Sequence, residues 1–437
     1  MRHLSLLLAV CVVCSSSVQG SNWMKKYEDG LKGYSEESLA QEFPEKIRPQ
    51  NYKHPLFRCP DMSPSSSVPT SVQRVKPADI KVIAALGDSL TTAIGANASS
   101  ILGIPNEYRQ VSWSIGGYGT YQDVITLANI VKLFNPNVIA PALKRTVNGK
   151  PATLKETGFN LAVTGHNTYE FTQQTRHLID TLKNYPGLSF EEDWKLLTIL
   201  IGNNDICDYC KNKTLYSADS FIHNLTVALD MLYNEIPRMI VNLVEVLDME
   251  GLREVNDGSI GCLLQSRSFC SCLVRPDTGS PELEELIELN HEFQRRMEQL
   301  IGSGRYNKDD FSVVLQPYLK KAKPPKDESG KVDYSFFAPD CFHFSIKGHE
   351  ELAKGLWNNM FQPDGEKFEI ENFSEPIELI CPPEDHPYIY TTGHVRNTAS
   401  FNIESPEIPI FLNVLHLTVP VAKIVPVFAF LIILELL

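Results

Sequence analysis

The chain has 437 residues, 43% of them hydrophobic and 21% charged, with acidic residues outnumbering basic ones by 53 to 40. That composition excludes a collagen, a coiled coil and wholesale disorder, and the length suits one large domain or two modest ones. A formal net charge of −13 argues against nucleic acid as a partner, because neutralising phosphates takes a basic face.

Residues 1–20 read as a secretory signal peptide. Arg2 supplies the positive start, Leu4 to Val13 the apolar run, and Val18-Gln19-Gly20 a small-residue cleavage site. The run is too short to span a bilayer. Its removal takes away Cys11 and Cys14 and leaves Cys59, Cys207, Cys210, Cys262, Cys270, Cys272, Cys341 and Cys381. An even set on an oxidising route implies disulfides, whose pairing spacing alone does not reveal. Cys207 and Cys210 form a CxxC, but neither a second CxxC nor paired histidines follow at finger spacing, so no metal site is expected. Asn97, Asn212, Asn224 and Asn372 each open an N-x-S/T sequon and are glycosylation candidates in the same compartment.

Along the chain, residues 21–77 begin with an amphipathic stretch and pass into a Pro/Ser-rich turn region centred on Ser63-Pro64-Ser65-Ser66-Ser67. Apolar runs then predict strands over Ile80–Leu86, Val111–Ile115, Leu196–Ile201, Met239–Leu247 and Phe311–Leu315. Several lack alternation, as strands covered on both faces do. Helices are predicted over Tyr121–Phe134, Thr168–Asn184, Ala218–Glu235, Pro281–Ile301 and Ser345–Phe361. Such alternation gives a three-layer α/β/α sandwich with a central, mostly parallel sheet. After it, a polar, Pro-containing stretch over residues 363–409 reads as a tether. The chain ends in a hydrophobic tail, residues 410–437, whose last part, Val419–Leu437, is long enough for a membrane anchor or an anchor signal.

The chemistry is expected at strand ends. Gly87-Asp88-Ser89-Leu90 follows the first strand at once, where an open α/β sheet places its reacting groups. It is not the nucleophile elbow of the α/β-hydrolases, because Thr91 stands where G-x-S-x-G needs its last glycine. A serine hydroxyl needs a base within hydrogen-bond reach. Asp340-Cys341-Phe342-His343 supplies one, since three-residue spacing lets an aspartate on the same turn fix the imidazole tautomer. Donors for an oxyanion are offered by Gly116-Gly117 and by Gly202-Asn203-Asn204-Asp205.

These blocks, in this order over residues 78–362, resemble the GDSL, or SGNH, hydrolase superfamily: GDS first, a glycine second, GxND third and DxxH last. The flanking residues, Ile83 to Thr91, Ser112 to Gly117 and Ile201 to Asp205, resemble its phospholipase B branch. The resemblance implies Ser89 as nucleophile, His343 as base and Asp340 as its orienter. It also implies an oxyanion hole from the Ser89 and Gly117 backbone N–H groups and the Asn204 side chain. Tyr118 follows Gly117 where the family often has aspartate. The implied function is a secreted or surface-anchored serine esterase acting on phospholipids and lysophospholipids at a membrane or micelle interface, without metal or organic cofactor. A carbohydrate or small-ester esterase would use the same blocks, and a non-catalytic surface binding protein could stand on the same scaffold.

Overall fold

A computed structural model of the protein describes residues 20–42, 52–264 and 268–391. The expected signal peptide, apart from Gly20, and the apolar tail lie outside the described residues. Among the described residues no helix is long and apolar enough to cross a membrane.

The four long apolar runs become the strands of one sheet: β1 (Ile80–Gly87), β2 (Trp194–Leu200), β3 (Met239–Val244) and, after the short β4 (Asn307–Lys308), β5 (Phe311–Gln316). Their order is β1-β2-β3-β5-β4, parallel except for β4, which runs antiparallel to β5. In register, Ala84 faces Leu197, Leu197 faces Val241, and Val241 faces Val313. Every β2 and β3 residue is buried on both faces, which is why these runs do not alternate.

Helices flank the sheet and border the site. They are α1 (Gly20–Gly30), α2 (Leu127–Phe134), α3 (Phe171–Asn184), α4 (Asn203–Asp208), α5 (Ala218–Glu235), α6 (Pro281–Gly302) and α7 (Ile346–Met360). α3, α5 and α6 pack in a row, α2 packs with α7, and the doubly buried sheet lies between. Helix starts follow their caps. Ser217, Ser280 and Ser345 each accept a backbone N–H of the first turn, and Pro281 sits where its missing N–H costs nothing.

Three expectations are corrected. Val111–Ile115 is not a strand; Trp113 and Ile115 are buried, but the segment runs through turns, and the outer edge of β1 is taken by Ile139 and by Phe159 to Val163. The helix expected from Tyr121 begins at Leu127, because the Thr126 side chain caps it by accepting from the Asn129 N–H. Residues 363–391 are no tether: Ile370, Phe373 and Ile389 are buried in the core, and Cys381 is bonded to Cys59.

The eight described cysteines form four disulfides: Cys59–Cys381, Cys207–Cys270, Cys210–Cys272 and Cys262–Cys341. The CxxC thus faces a CxC across the fold and binds α4 to the 270–272 segment.

One buried acid sets a pH dependence. Glu245, just past β3, is fully buried, neither carboxyl oxygen has a hydrogen-bond partner among the described residues, and the Lys320 ammonium lies 4.0 Å away. Burial pushes the carboxyl up to about 8, against the pull of Lys320. Between its ordinary value of 4.5 and about 8, the folded chain holds a proton that the unfolded chain releases. Stability from this group is therefore complete below the lower value and is lost as pH rises through the upper one. Glu245→Gln is expected to flatten that fall and raise Tm by a few degrees above pH 8 in thermal melts across pH. Equal pH profiles for the two proteins would contradict it.

Candidate active site

Ser89 opens a single helical turn, Ser89–Thr92, directly after β1. Gly87 takes φ +148, and a Cβ there would lie 2.3 Å from the Leu200 carbonyl oxygen, so only glycine lets the ends of β1 and β2 approach this closely. Asp88 caps the turn by accepting the Leu90 N–H at 2.9 Å. Burial pushes the Asp88 carboxyl up to about 6.

Asp340 and His343 meet as the spacing predicts. His343 Nδ1 lies 2.6 Å from Asp340 Oδ2, and Asp340 Oδ1 accepts the backbone N–H groups of Phe342 and His343. Burial pushes the Asp340 carboxyl up, but His343 and these N–H groups hold it below its ordinary value, so it stays a carboxylate. His343 Nε2 is buried and has no partner among the described residues. It is the nitrogen left for a serine proton. The loop is fixed on both sides, by Cys341–Cys262 and by α7, whose cap Ser345 also donates to the Ser335 carbonyl at 2.6 Å.

A cleft opens beside Ser89, lined by Asn203 and Asn204 and by apolar residues that include Leu247, Met249, Val255, Phe337, Phe344 and Phe373. On its other side the His343 ring is enclosed edge-on by Phe342, Phe269 and Trp23, the last carried by α1. Trp23 stacks on Phe269 at 5.3 Å, and Lys26 of the same helix pairs with Asp208 at 3.1 Å.

The expected donors separate. Gly117 is not brought to Ser89 as a donor: its N–H donates to the Ala142 carbonyl at 2.7 Å, at the edge of the sheet. The strand beside β1 is instead Phe159 to Val163, with the Leu161 N–H donating to Ala85 and the Val163 N–H to Gly87. The loop that leaves it carries Gly165, at φ +84, whose N–H donates to no described residue. A Cβ there would lie 3.0 Å from Trp23 Cβ. Asn204 Nδ2 donates to the His166 carbonyl at 2.9 Å, which leaves its second hydrogen. Asp205 accepts Thr168 Oγ1 at 2.6 Å and the Thr168 N–H at 3.0 Å, and burial pushes its carboxyl up to about 7. The GxND block thus pins the Gly165 loop from one side.

Arg109 pins it from the other. Buried, it donates to the Asn160 and Ala162 carbonyls at 2.9 and 3.1 Å and pairs with Glu107 at 2.7 Å. Asn160 Nδ2 donates to the Thr91 carbonyl, and the Thr92 and Thr164 hydroxyls lie 2.7 Å apart. The sequence carried a signal for Gly165: Asn160-Leu161-Ala162-Val163 is a short apolar run that ends in Thr-Gly. Of the sequons, Asn97, Asn212 and Asn372 are exposed and Asn224 is partly so.

The GDSL-like lipase/acylhydrolase family model matches residues 83–356. Membrane-associated phospholipase B1 of Homo sapiens is 44% identical over 77% of this chain, and that of Rattus norvegicus 42% over the same share. The chain spans 23% of the length of each. A solved structure described as a GDSL-like lipase from Parabacteroides merdae aligns over 63% of this chain and 92% of its own, at 16% identity and a TM-score of 0.32, too slight a likeness to argue from. The family match covers the strand that delivers Ser89 and the loop that delivers Asp340 and His343, and on that match the chain belongs to the GDSL-like lipase/acylhydrolase family.

Proposed function

We propose that this protein is a phospholipase-type serine esterase that cleaves acyl esters of phospholipids and lysophospholipids. The observation that carries the reading is the Asp340–His343 pair with its Nε2 unbound, in a chain whose nucleophile candidate, Ser89, opens into an apolar cleft. An acyl chain lying against Val255, Phe337 and Phe373 leaves the ester carbonyl at Ser89. Ser89 Oγ attacks the carbonyl carbon while His343 Nε2 takes its proton. Asp340 holds Nδ1–H and balances the imidazolium. The oxyanion that forms is met by the backbone N–H groups of Ser89 and Gly165 and by Asn204 Nδ2. Collapse breaks the bond to the alcohol, which receives the proton from His343, and a water activated by the same nitrogen releases the fatty acid. The apolar tail is proposed to keep the enzyme at the outer side of a membrane; the phospholipase B1 relatives are named membrane-associated.

The test is a substrate panel on the purified full chain: phosphatidylcholine and lysophosphatidylcholine in micelles against acetylated sugars and short p-nitrophenyl esters. Fatty acid release from both lipids is expected. Turnover of the acetyl esters alone would replace this reading by a small-ester esterase, and no turnover of any ester by a binding scaffold. Asn204→Ala is expected to cost about 100- to 1000-fold in kcat with a smaller change in KM, as loss of one oxyanion donor does.

A further inference from the structure

The segment from Pro141 to Gly158 leaves the edge of β1 and returns to it, and its surface is unlike the rest of the molecule. Lys144, Arg145, Lys150 and Lys155 all lie on it and all are exposed, against a single acidic residue, Glu156. That carboxylate is already engaged, accepting the Thr153 N–H and hydroxyl at 2.8 Å each. None of the four cations forms an ion pair within 4.0 Å among the described residues, though Arg145 hydrogen-bonds the Tyr108 hydroxyl and Lys144 lies near enough to Glu156 to act on its carboxylate. Most lysines and arginines elsewhere in the fold do form one. Between the cations stand exposed apolar side chains. Leu143 is 52% exposed and Leu154 39%. The two share one patch, because the Leu143 and Lys144 N–H groups both donate to the Glu156 carbonyl, at 3.1 and 3.0 Å. Tyr118, 54% exposed, joins them: a Cβ on its neighbour Gly117 would sit 3.1 Å from a Leu143 methyl.

The base of the segment is tied to the reaction site. Thr146 and Val147 pair with Glu107 and Asn106. Glu107 accepts the Thr146 hydroxyl at 2.7 Å and the Thr164 hydroxyl at 2.8 Å, and Thr164 precedes Gly165. The patch therefore stands one hydrogen-bonded residue away from the loop that borders Ser89.

We propose that this segment is a docking surface for an anionic lipid bilayer, with Leu143, Leu154 and Tyr118 entering the headgroup region and the four cations facing the phosphates. The proposal rests on the lipid-hydrolase reading for its purpose, but not for its chemistry. A chain of net charge −13 is repelled as a whole by an anionic membrane, so a local basic field also sets its orientation. Lysine and arginine near the surface each add attraction that salt screens, and exposed leucines add apolar burial. Landing on this face holds the enzyme at the lipid layer, with the segment tied through Glu107 and Thr164 to the Gly165 loop.

The test uses the full chain and vesicles of ether-linked lipid, which the enzyme cannot hydrolyse, with and without phosphatidylserine. The four native tryptophans are all buried, so Leu154→Trp gives a local reporter that the apolar tail does not move. Its emission is expected to shift blue and to be quenched by brominated acyl chains on phosphatidylserine vesicles, and the change should reverse at high salt. Lys144→Glu/Lys150→Glu/Lys155→Glu is expected to weaken that signal by on the order of 100-fold while hydrolysis of a soluble short-chain ester stays the same. An unshifted reporter on chains that do bind vesicles would overturn the proposal, as would equal response to neutral and anionic vesicles. Because ether lipids report binding alone, failure here leaves phospholipid hydrolysis standing, and failure of the substrate panel leaves this result standing.

Discussion

Replacing Ser89 by alanine is expected to lower ester hydrolysis by about 10⁴- to 10⁶-fold while the chain still folds. The hydroxyl is the sole atom lost, and the turn that carries it keeps its cap, because the Leu90 N–H donates to Asp88 and not to Ser89. A fluorophosphonate should label the wild type and leave the Ser89→Ala protein unlabelled, with matching thermal melts for the two. His343→Ala should cost as much, and the double variant little more, since the pair acts as one unit. Labelling of the serine variant at the wild-type rate would move the nucleophile elsewhere.

Asp340→Asn is expected to cost about 10⁴-fold in kcat, through orientation and not through contact with substrate. The backbone bonds to Phe342 and His343 need only an acceptor at Oδ1, and an amide oxygen still supplies it. The other atom becomes an NH₂ facing Nδ1, 2.6 Å away in the native pair. Two donors cannot share that line, so the ring must carry its proton on Nε2, the nitrogen that has to accept from Ser89. The imidazolium also loses its counter-charge. A slow residual rate with nearly unchanged KM and intact folding is the pattern to look for in steady-state kinetics. Activity within tenfold of wild type would show that Asp340 only builds the loop.

How far the sequence could be read follows from what each signal depends on. The strands at Ile80, Leu196, Met239 and Phe311 were legible because burial on both faces demands unbroken apolar runs, and α5 and α6 because serine caps and 3.6-residue patterning agree. Val111–Ile115 misled because Trp113 and Ile115 are as apolar as strand residues. They fill the core from a turn, where Trp113 Nε1 donates to the Leu90 carbonyl. The Gly117 role was implied by the resemblance, with Gly116-Gly117 following that supposed strand, whereas its N–H is taken by the Ala142 carbonyl. The true edge segment, Phe159 to Val163, is too short to stand out, and its position is fixed by Arg109, while Asp205 holds the loop after it through Thr168, contacts from distant points of the chain. The packing of residues 363–391 was hidden for the same reason: proline and charge suggest a solvated strand of chain, while Cys59–Cys381 and a few buried side chains decide otherwise.

The Cys59–Cys381 bond spans 322 residues of sequence and joins the chain near its entry to the domain with the chain near its exit. Mechanically, that makes it a shackle. The covalent ring that it closes contains every strand of the sheet, Ser89 and the loop that seats His343. A protease that nicks any surface loop inside the shackle opens the ring but releases no fragment, so the cut would show on a gel only after reduction.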